Sequence, residues 1–415
     1  MRFLHTSDWH LGQNFIGKSR LPEHRAFFAW LLEQVKLHEI SAIIVAGDVF
    51  DTGTPPSYAR ELYNQLVIDL HQLDCQLIVL AGNHDSVAVL NESKNLLAQL
   101  STRVITQPAD ELTQQLVLLS RQQQPFALVA AIPFLRPRDM LLSHAGETSV
   151  EKKQALQHAI ATHYQQLFAA AQAFLAEQRL QLPIILTGHL TTLGASLSES
   201  VRDIYVGNLK AFPSDAFPPA DYIALGHIHR PQQVAGQAHV RYSGSPIPLS
   251  FDEVGRDKQV VLVECAKEQV VAIKELTVPL FQPLVRIVGD LSDIEQQLQQ
   301  VAIDSPGAWL EIEVQHEAYL TSLAQRIDTL CEGLPLEVLR IKRQRSAATS
   351  LTSEDSQTSL AELSVEQVFA QRLAEEQLTS AQQQQLQQLH QQVLTQLLDP
   401  LAEASVSSPD KSESV

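Results

Sequence analysis

The chain is poor in cysteine: its 415 residues hold only Cys75, Cys265 and Cys331, odd in number and widely spaced. That excludes a disulfide framework and a zinc knuckle, and it fits a reducing cytoplasm. Long apolar runs are also lacking. The longest, Ala26–Leu32 and Phe126–Ile132, fall far short of the ~20 residues of a membrane span. The segment Met1–Asp8 has no apolar stretch of secretory-signal length, so a cytoplasmic protein away from any membrane is expected. Charged residues are 19%, somewhat scarce, whereas the apolar share of 45% suits a globular chain of two to three domains. The net charge is −17, of which residues 346–415, with ten acidic and two basic residues, carry −8. Net charge bears on solubility and does not decide what a local groove holds.

The first two-thirds alternates short apolar runs with longer amphipathic ones. Strands are expected at Arg2–Thr6, Ala42–Ala46, Gln76–Ala81, Ala127–Ile132, Ile184–Thr187 and Tyr222–Leu225, with helices at Pro22–His38, Ser57–Leu73, Ser86–Leu100 and Glu151–Arg179. This is the pattern of an α/β layered domain, closed by a strand pair at Gln259–Glu264 and Gln269–Leu276. After Pro279 and Pro283, a small α/β unit reads strand, helix, strand, helix, strand from Leu284 to Ile341. The expected division is 1–278, 279–345, a Ser/Thr-rich linker 346–363, helices in 364–400 and a disordered tail 401–415. A capping box, Ser364 with Gln367, opens the helical part, which carries apolar stripes Val365, Val368, Phe369, Leu373 and Leu386, Leu389, Val393, Leu397.

Five short stretches each place a metal-ligand type directly after an apolar strand: Asp8-Trp9-His10, Gly47-Asp48, Gly82-Asn83-His84-Asp85, Gly188-His189 and Gly226-His227-Ile228-His229. In an open α/β sheet the crevice beyond the carboxyl ends of the strands is where ligands bind. Any one of the five could be a turn; all five in order, each at a strand end, point to metal. Asp8, His10, Asp48, Asn83, His189, His227 and His229 are too many ligands for one ion and suit two, sharing a carboxylate. Imidazole, carboxylate and amide together favour Mn²⁺, Fe or Zn²⁺ over Ca²⁺. Two such ions suit in-line phosphoester hydrolysis. Ten other histidines, among them His5, His38 and His316, lack this context and read as ordinary core or surface residues.

These motifs resemble the calcineurin-like metallophosphoesterase superfamily. The longer strings His5–Gly12, Ala46–Asp51 with Pro55-Pro56-Ser57, Ala81–Ser86, Ala131–Arg136, Gly226–Arg230 and Tyr242–Pro246 are similar to its Mre-type double-strand-break nucleases, and the likeness runs along almost the whole chain. The resemblance implies one ion on Asp8, His10, Asp48 and His229, another on Asp48, Asn83, His189 and His227, and Asp48 bridging. It implies that His84 faces the scissile phosphate as the catalytic residue, with Asp85 either orienting it or stabilising a turn, and with Asp51 outside the ligand set. The residues from Phe281 to Arg345 would be a capping domain that helps orient DNA, closed by the basic residues Arg340, Lys342, Arg343 and Arg345. Lys18, Arg20, Arg60, Arg136 and Arg138 are then candidate phosphate contacts. The implied activity is a 3′-to-5′ exonuclease on duplex DNA and an endonuclease on single strands and hairpins, in DNA repair, recombination and replication. The implied cofactors are two divalent ions, Mn²⁺ or else Mg²⁺. The implied partner is a coiled-coil ATPase, docked by the 364–400 helices, in a heterotetramer built on a homodimer of this chain. The alternative is a protein phosphatase or small phosphodiesterase of the same superfamily. Protein phosphatases typically carry Arg after the second Asp of the Gly-Asp motif and Glu after Asn-His, where this chain has Thr52 and Asp85.

Overall fold

A computed structural model describes residues 1–140, 148–193, 195–196, 198, 211–266, 268–315, 323–343, 382 and 385–390. Residues 1–343 form one compact unit and 344–415 a second. The expected linker 346–363, the tail 401–415 and most of the 364–400 helices lie outside the described residues; 382 and 385–390 are helical. Among the described residues no helix is long and apolar enough to cross a membrane.

Two six-stranded mixed sheets pack face to face. In the first, β1 (Arg2–Thr6), β4 (Ala42–Val45), β5 (Gln76–Leu80) and β6 (Thr102–Ile105) run parallel. On the other side of β1, β13 (Lys258–Ala266) and β14 (Gln269–Val278) form an antiparallel pair, giving the order β14-β13-β1-β4-β5-β6. The second sheet has the antiparallel pair β7 (Leu116–Arg121) and β8 (Gln124–Ala130), then parallel β9 (Ile184–His189), β10 (Tyr222–Gly226) and β12 (Gln237–Tyr242), with β11 (Gln232–Val234) antiparallel at the edge. A short β2–β3 hairpin (Asn14–Phe15 with Lys18–Ser19) lies outside both.

The strands read as continuous apolar runs because both of their faces are buried. On β4, Ala42 and Ile44 join Phe3, Ile78, Val129, Ile185 and Ala224 in the layer between the sheets. The alternate residues Ile43 and Val45 pack outward with Phe27, Leu31, Tyr63 and Leu66 of the helices Leu21–Leu37 and Ser57–Gln72. The helix Ser149–Gln178 covers the second sheet through Ile160, Tyr164, Leu167 and Ala171. One expected helix is broken: Ser86–Leu100 forms Val87–Asn91 and Lys94–Gln99, because Ser93 leaves helical geometry at φ −110°, ψ 11°. Serine competes with helix hydrogen bonding and favours such ends.

The small third sheet is parallel throughout: β15 (Leu284–Gly289), β16 (Trp309–Val314) and β17 (Glu337–Arg343). Its own core, with Ile287, Leu310, Ile312, Ile294 and Leu298, is separate from the sandwich. It meets the larger part through a small apolar cluster of Phe15, Phe251 and Leu284, against which Trp309 and Leu339 pack. Phe15 stacks on Trp309 with ring centroids 6.0 Å apart.

His5 and His24 are core residues. Burial pushes both down to about 3; backbone carbonyls of Leu225 and Trp9 oppose this only partly. With folded values below the ordinary 6.5, the unfolded chain binds more protons between pH 6.5 and 3, so stability falls as pH falls through that window. The expected loss is on the order of 2 kcal/mol per histidine between pH 7 and pH 5. Urea unfolding of metal-stripped protein at the two pH values should show this loss, reduced by about half of that sum in His24→Gln.

Candidate metal centre

The carboxyl ends of β1, β4 and β5 share one edge because those strands are parallel, and those of β9 and β10 share the facing edge. Pairing continues past the strand ends: Asp8 N–H donates to Gly47 O at 3.0 Å and His10 N–H to Asp48 O at 3.1 Å. The two edges are tied together as well. His227 N–H donates to Asp8 Oδ1 at 2.9 Å, and His189 Nδ1 donates to Ala46 O at 2.8 Å. Approach this close excludes side chains at the glycines. A Cβ on Gly82 would sit 2.1 Å from Asp48 Oδ1, and one on Gly226 would sit 1.9 Å from Ala46 O. Asp8, His10, Asp48 and His227 all have positive φ, of 53°, 48°, 51° and 94°. Such backbone costs about 1–3 kcal/mol per residue and persists where the surroundings enforce it, as at functional sites.

This backbone gathers three groups of side chains, each with its potential ligand atoms within 4.8 Å of one another: Asp8, His10 and His229; His10, Asp48 and His84; and Asp48, His189 and His227. Asn83 Oδ1 joins the last, 2.9 Å from His189 Nε2 and 3.1 Å from His227 Nδ1. Asp48 Oδ2 is 3.2 Å from His189 Nε2 and 3.7 Å from His10 Nε2. All seven predicted ligands therefore meet at one place, with His10 and Asp48 each common to two groups.

Burial works against the charge on Asp48, but His189 and His10 outweigh it and hold the carboxyl well below its usual range. Burial likewise opposes protonation of His189, yet Asp48 dominates and raises it to about 9. His10 is raised in the same way, against burial, by Asp51 and Asp48. His227 is pushed well below the imidazole range by burial and by the neighbouring His189.

Among the predicted ligands, three buried atoms have no hydrogen-bond partner: His10 Nε2, Asp48 Oδ2 and His227 Nε2. Leaving a buried polar atom unpaired costs about 1–3 kcal/mol, more if charged. Lone-pair atoms left unsatisfied in the same small cluster fit divalent cations, which would satisfy them together. The outer partners fit the same chemistry. Asp51 Oδ1 lies 3.1 Å from His10 Nδ1, as expected of a carboxylate outside the ligand set that orients the ring.

The Asp85 carboxylate accepts N–H groups from Gly82, Phe50 and Val49 at 2.8, 2.9 and 3.1 Å. Of its two expected roles, the turn-stabilising one is the one this geometry serves. Burial and the nearby Asp48 raise Asp85 to about 6. His84 is gripped differently, by its N–H on Asp48 Oδ1 at 2.9 Å and its Nδ1 on Asp51 O at 2.7 Å.

The basic residues divide. Arg20 is a correction: it is fully buried, bonds Glu23 and Pro248 O, and lies 4.8 Å from the Phe15 ring centroid, so it cannot reach a phosphate. Lys18 pairs with Glu337 of β17, Arg60 with Glu92 at 3.7 Å, and the exposed Arg138 with Asp139 at 3.7 Å. Arg136 lies beside the site, donating to Asp85 O at 3.0 Å, with Nη1 buried and unpartnered. Of the expected basic run on the small sheet, Arg340 and Lys342 both pair with the buried Glu311, and Arg345 lies outside the described residues.

Sequence reasoning passed over Ser7, whose Oγ donates to Asp8 Oδ2 at 2.6 Å, and the buried pair Glu253 and Lys258 behind His229. Ser250-Phe251-Asp252-Glu253 reads in sequence as a local capping box, and nothing in it signals contact with a histidine 24 positions away.

Paired sheets delivering Asp, Asn and His from their strand ends define a metallophosphoesterase, and the calcineurin-like phosphoesterase family matches residues 1–231. The family described as Type 5 capsule protein repressor C-terminal domain matches residues 280–377. SbcD of the nuclease SbcCD from Escherichia coli (strain K12) is 53% identical over 391 residues, 94% of this chain and 96% of that one. The SbcD proteins of Rhodobacter capsulatus and Bacillus subtilis are 34% and 29% identical, over 84% and 76% of this chain and 89% and 79% of theirs. The chain belongs to the SbcD family of calcineurin-like phosphoesterases.

Asp48→Ala should lower metal content more than any other single substitution in the cluster, because its carboxylate lies within 3.7 Å of both His10 and His189 and carries the negative charge between them. Elemental analysis after Mn²⁺ loading and desalting checks this; two ions retained would contradict it.

Proposed function

We propose that this chain is the metal-dependent nuclease component of an SbcCD-type complex, hydrolysing DNA phosphodiester bonds with two divalent ions. The observation that carries it is the cluster of buried, unpartnered lone-pair atoms on His10, Asp48 and His227, all at the strand-end edge. Asp8, His10, Asp48 and His229 would hold one ion and Asp48, Asn83, His189 and His227 the other. When bound, such ions polarise the phosphoester and make water nucleophilic near neutral pH.

His84 is the proposed catalytic residue. A carbonyl oxygen only accepts, so contact with Asp51 O assigns the Nδ1 proton and gives Nε2 to the substrate side. As the imidazolium, with a second proton on Nε2, His84 would stabilise charge on the phosphoryl group or pass that proton to the leaving 3′ oxygen and return to the neutral Nδ1–H form. Arg136 supports the same reading, with an unpartnered guanidinium nitrogen beside Asp85. Lys18, Arg60 and Arg138 are proposed as weaker phosphate contacts.

The finer reading is 3′-to-5′ cleavage of duplex ends, endonucleolytic cleavage of single strands and hairpins, and Mn²⁺ in preference to Mg²⁺. We assign residues 1–278 to the nuclease domain and 279–345 to a capping domain. Residues 364–400 would dock on the coiled coil of an SbcC-like ATPase, in a cytoplasmic heterotetramer with two copies of each chain. A protein phosphatase is not favoured: Thr52 and Asp85 stand where protein phosphatases typically carry arginine and glutamate.

End-labelled linear and hairpin DNA, incubated with the purified chain with and without the ATPase in Mn²⁺ or Mg²⁺, tests the function; metal-dependent cleavage is expected and its absence would overturn it. His84→Gln should keep its metal content while kcat falls by about 10²–10³, the usual cost of one transition-state donor. Loss of an ion in that variant would make His84 a ligand. Phe369→Ala with Leu373→Ala should weaken co-purification with the ATPase and spare partner-independent cleavage of single-stranded DNA.

A further inference from the structure

Histidines that bind metal usually donate their second ring nitrogen to an acceptor that fixes ring and tautomer. His10 has Asp51 for this, at 3.1 Å, and His189 has Ala46 O, at 2.8 Å. Behind His229 stands something more costly, a buried ion pair. Glu253 is 1% exposed and Lys258 5%, and they contact each other directly. Glu253 Oε1 lies 3.7 Å from His229 Nδ1. Glu253 Oε2 is taken up by Lys258 Nζ and by Leu249 N–H at 3.2 Å, which turns Oε1 toward the imidazole. Lys258 Nζ also donates to the backbone carbonyl of His229 at 2.9 Å and to Ser245 Oγ at 2.8 Å. One ion pair thus faces both the ring and the main chain of the same histidine.

The turn bearing Glu253 is fixed from its far side. Phe251 is buried against Phe15 and against Leu284 of β15, and Ser250 Oγ contacts Asp252 Oδ1 and lies 3.2 Å from Glu253 Oε1. A buried ion pair is weak as a stabiliser, because desolvation cancels most of its attraction, and apolar residues of similar volume serve packing as well. Its directional value lies in what it orients.

We propose that Glu253 and Lys258 are positioning residues that set the His229 ring for one ion of the pair and leave the other ion untouched. This rests on the reading of His229 as a metal ligand. The effect is selective because the residues held by this ion pair include none of the Asp48, His189 and His227 group.

Calorimetric titration of the metal-stripped full chain with Mn²⁺ tests it, alongside the melting temperature of the metal-free protein. In Glu253→Gln one of the two ions should bind about 10–100-fold more weakly, the usual effect of losing such a partner. The second should bind within about twofold of the unsubstituted chain, although the metal-free melting temperature should fall, because Lys258 is left buried without its carboxylate. Glu253→Asp, which withdraws the carboxylate by one methylene, should give a smaller loss at the same ion. His229→Ala should weaken that ion alone. Both ions binding normally in Glu253→Gln and Glu253→Asp would overturn the proposal. So would equal weakening of both ions, which would make the pair a loop staple. If His229→Ala left both ions unchanged, the ligand reading itself would have failed.

Discussion

The structure at the strand-end edge is organised around one buried carboxylate. Asp48 sits where two sheets meet, 1% exposed, with left-handed backbone, His189 on one side and His10 on the other. A lone charge there would cost several kcal/mol through lost hydration. Without metal the burden falls on the histidines, which is why His189 and His10 are drawn toward protonation while His227, beside His189, is driven away from it. Divalent cations held by these residues would take over the same neutralising role, since a ligating imidazole must be neutral. The glycines of the loops follow from the same constraint, because a side chain at position 82 would occupy the place of Asp48 Oδ1.

Much of this was legible in the sequence. The strands leading into the site are buried on both faces, so they are bare apolar runs, and each ends in a glycine-bearing or polar string that interrupts the run sharply. Asp8, His10, Asp48, Asn83, His189, His227 and His229 could therefore be picked out by position alone, and all seven meet in space. What could not be read was whatever depends on distant pairing. The division into two sheets rests on which strands hydrogen-bond, and the outlying strands β6, β7, β11 and β12 are partly polar. Arg20 looks in sequence like a basic residue at a helix start, yet Glu23, Pro248 O and two aromatic rings enclose it. Glu253 and Lys258 flank a loop of local turn character, and only tertiary structure brings them to His229.

The small parallel sheet is joined to the sandwich by features of unlike kinds. The apolar cluster of Phe15, Phe251 and Leu284 provides non-directional contact, supplemented by the Arg20 guanidinium 5.7 Å from the Trp309 ring centroid and by Lys18 on Glu337. Farther along the same sheet, Arg286, Arg340 and Lys342 converge on the buried Glu311. Those cations are partly spent within the sheet, so its positive field is weaker than the basic run suggests. Phe251 belongs to the joint and stands two residues from Glu253, so one short turn reaches both the joint and the His229 ring.

The central claim is that Asp48 is shared by two ions. Electron paramagnetic resonance of the metal-stripped chain loaded with two equivalents of Mn²⁺ tests it most directly. Two ions about 3.5–4 Å apart on a common carboxylate should give the exchange-coupled spectrum of a dinuclear centre. In Asp48→Ala that spectrum should give way to uncoupled signals. A six-line spectrum of isolated Mn²⁺ at two equivalents in the unsubstituted chain would contradict the account.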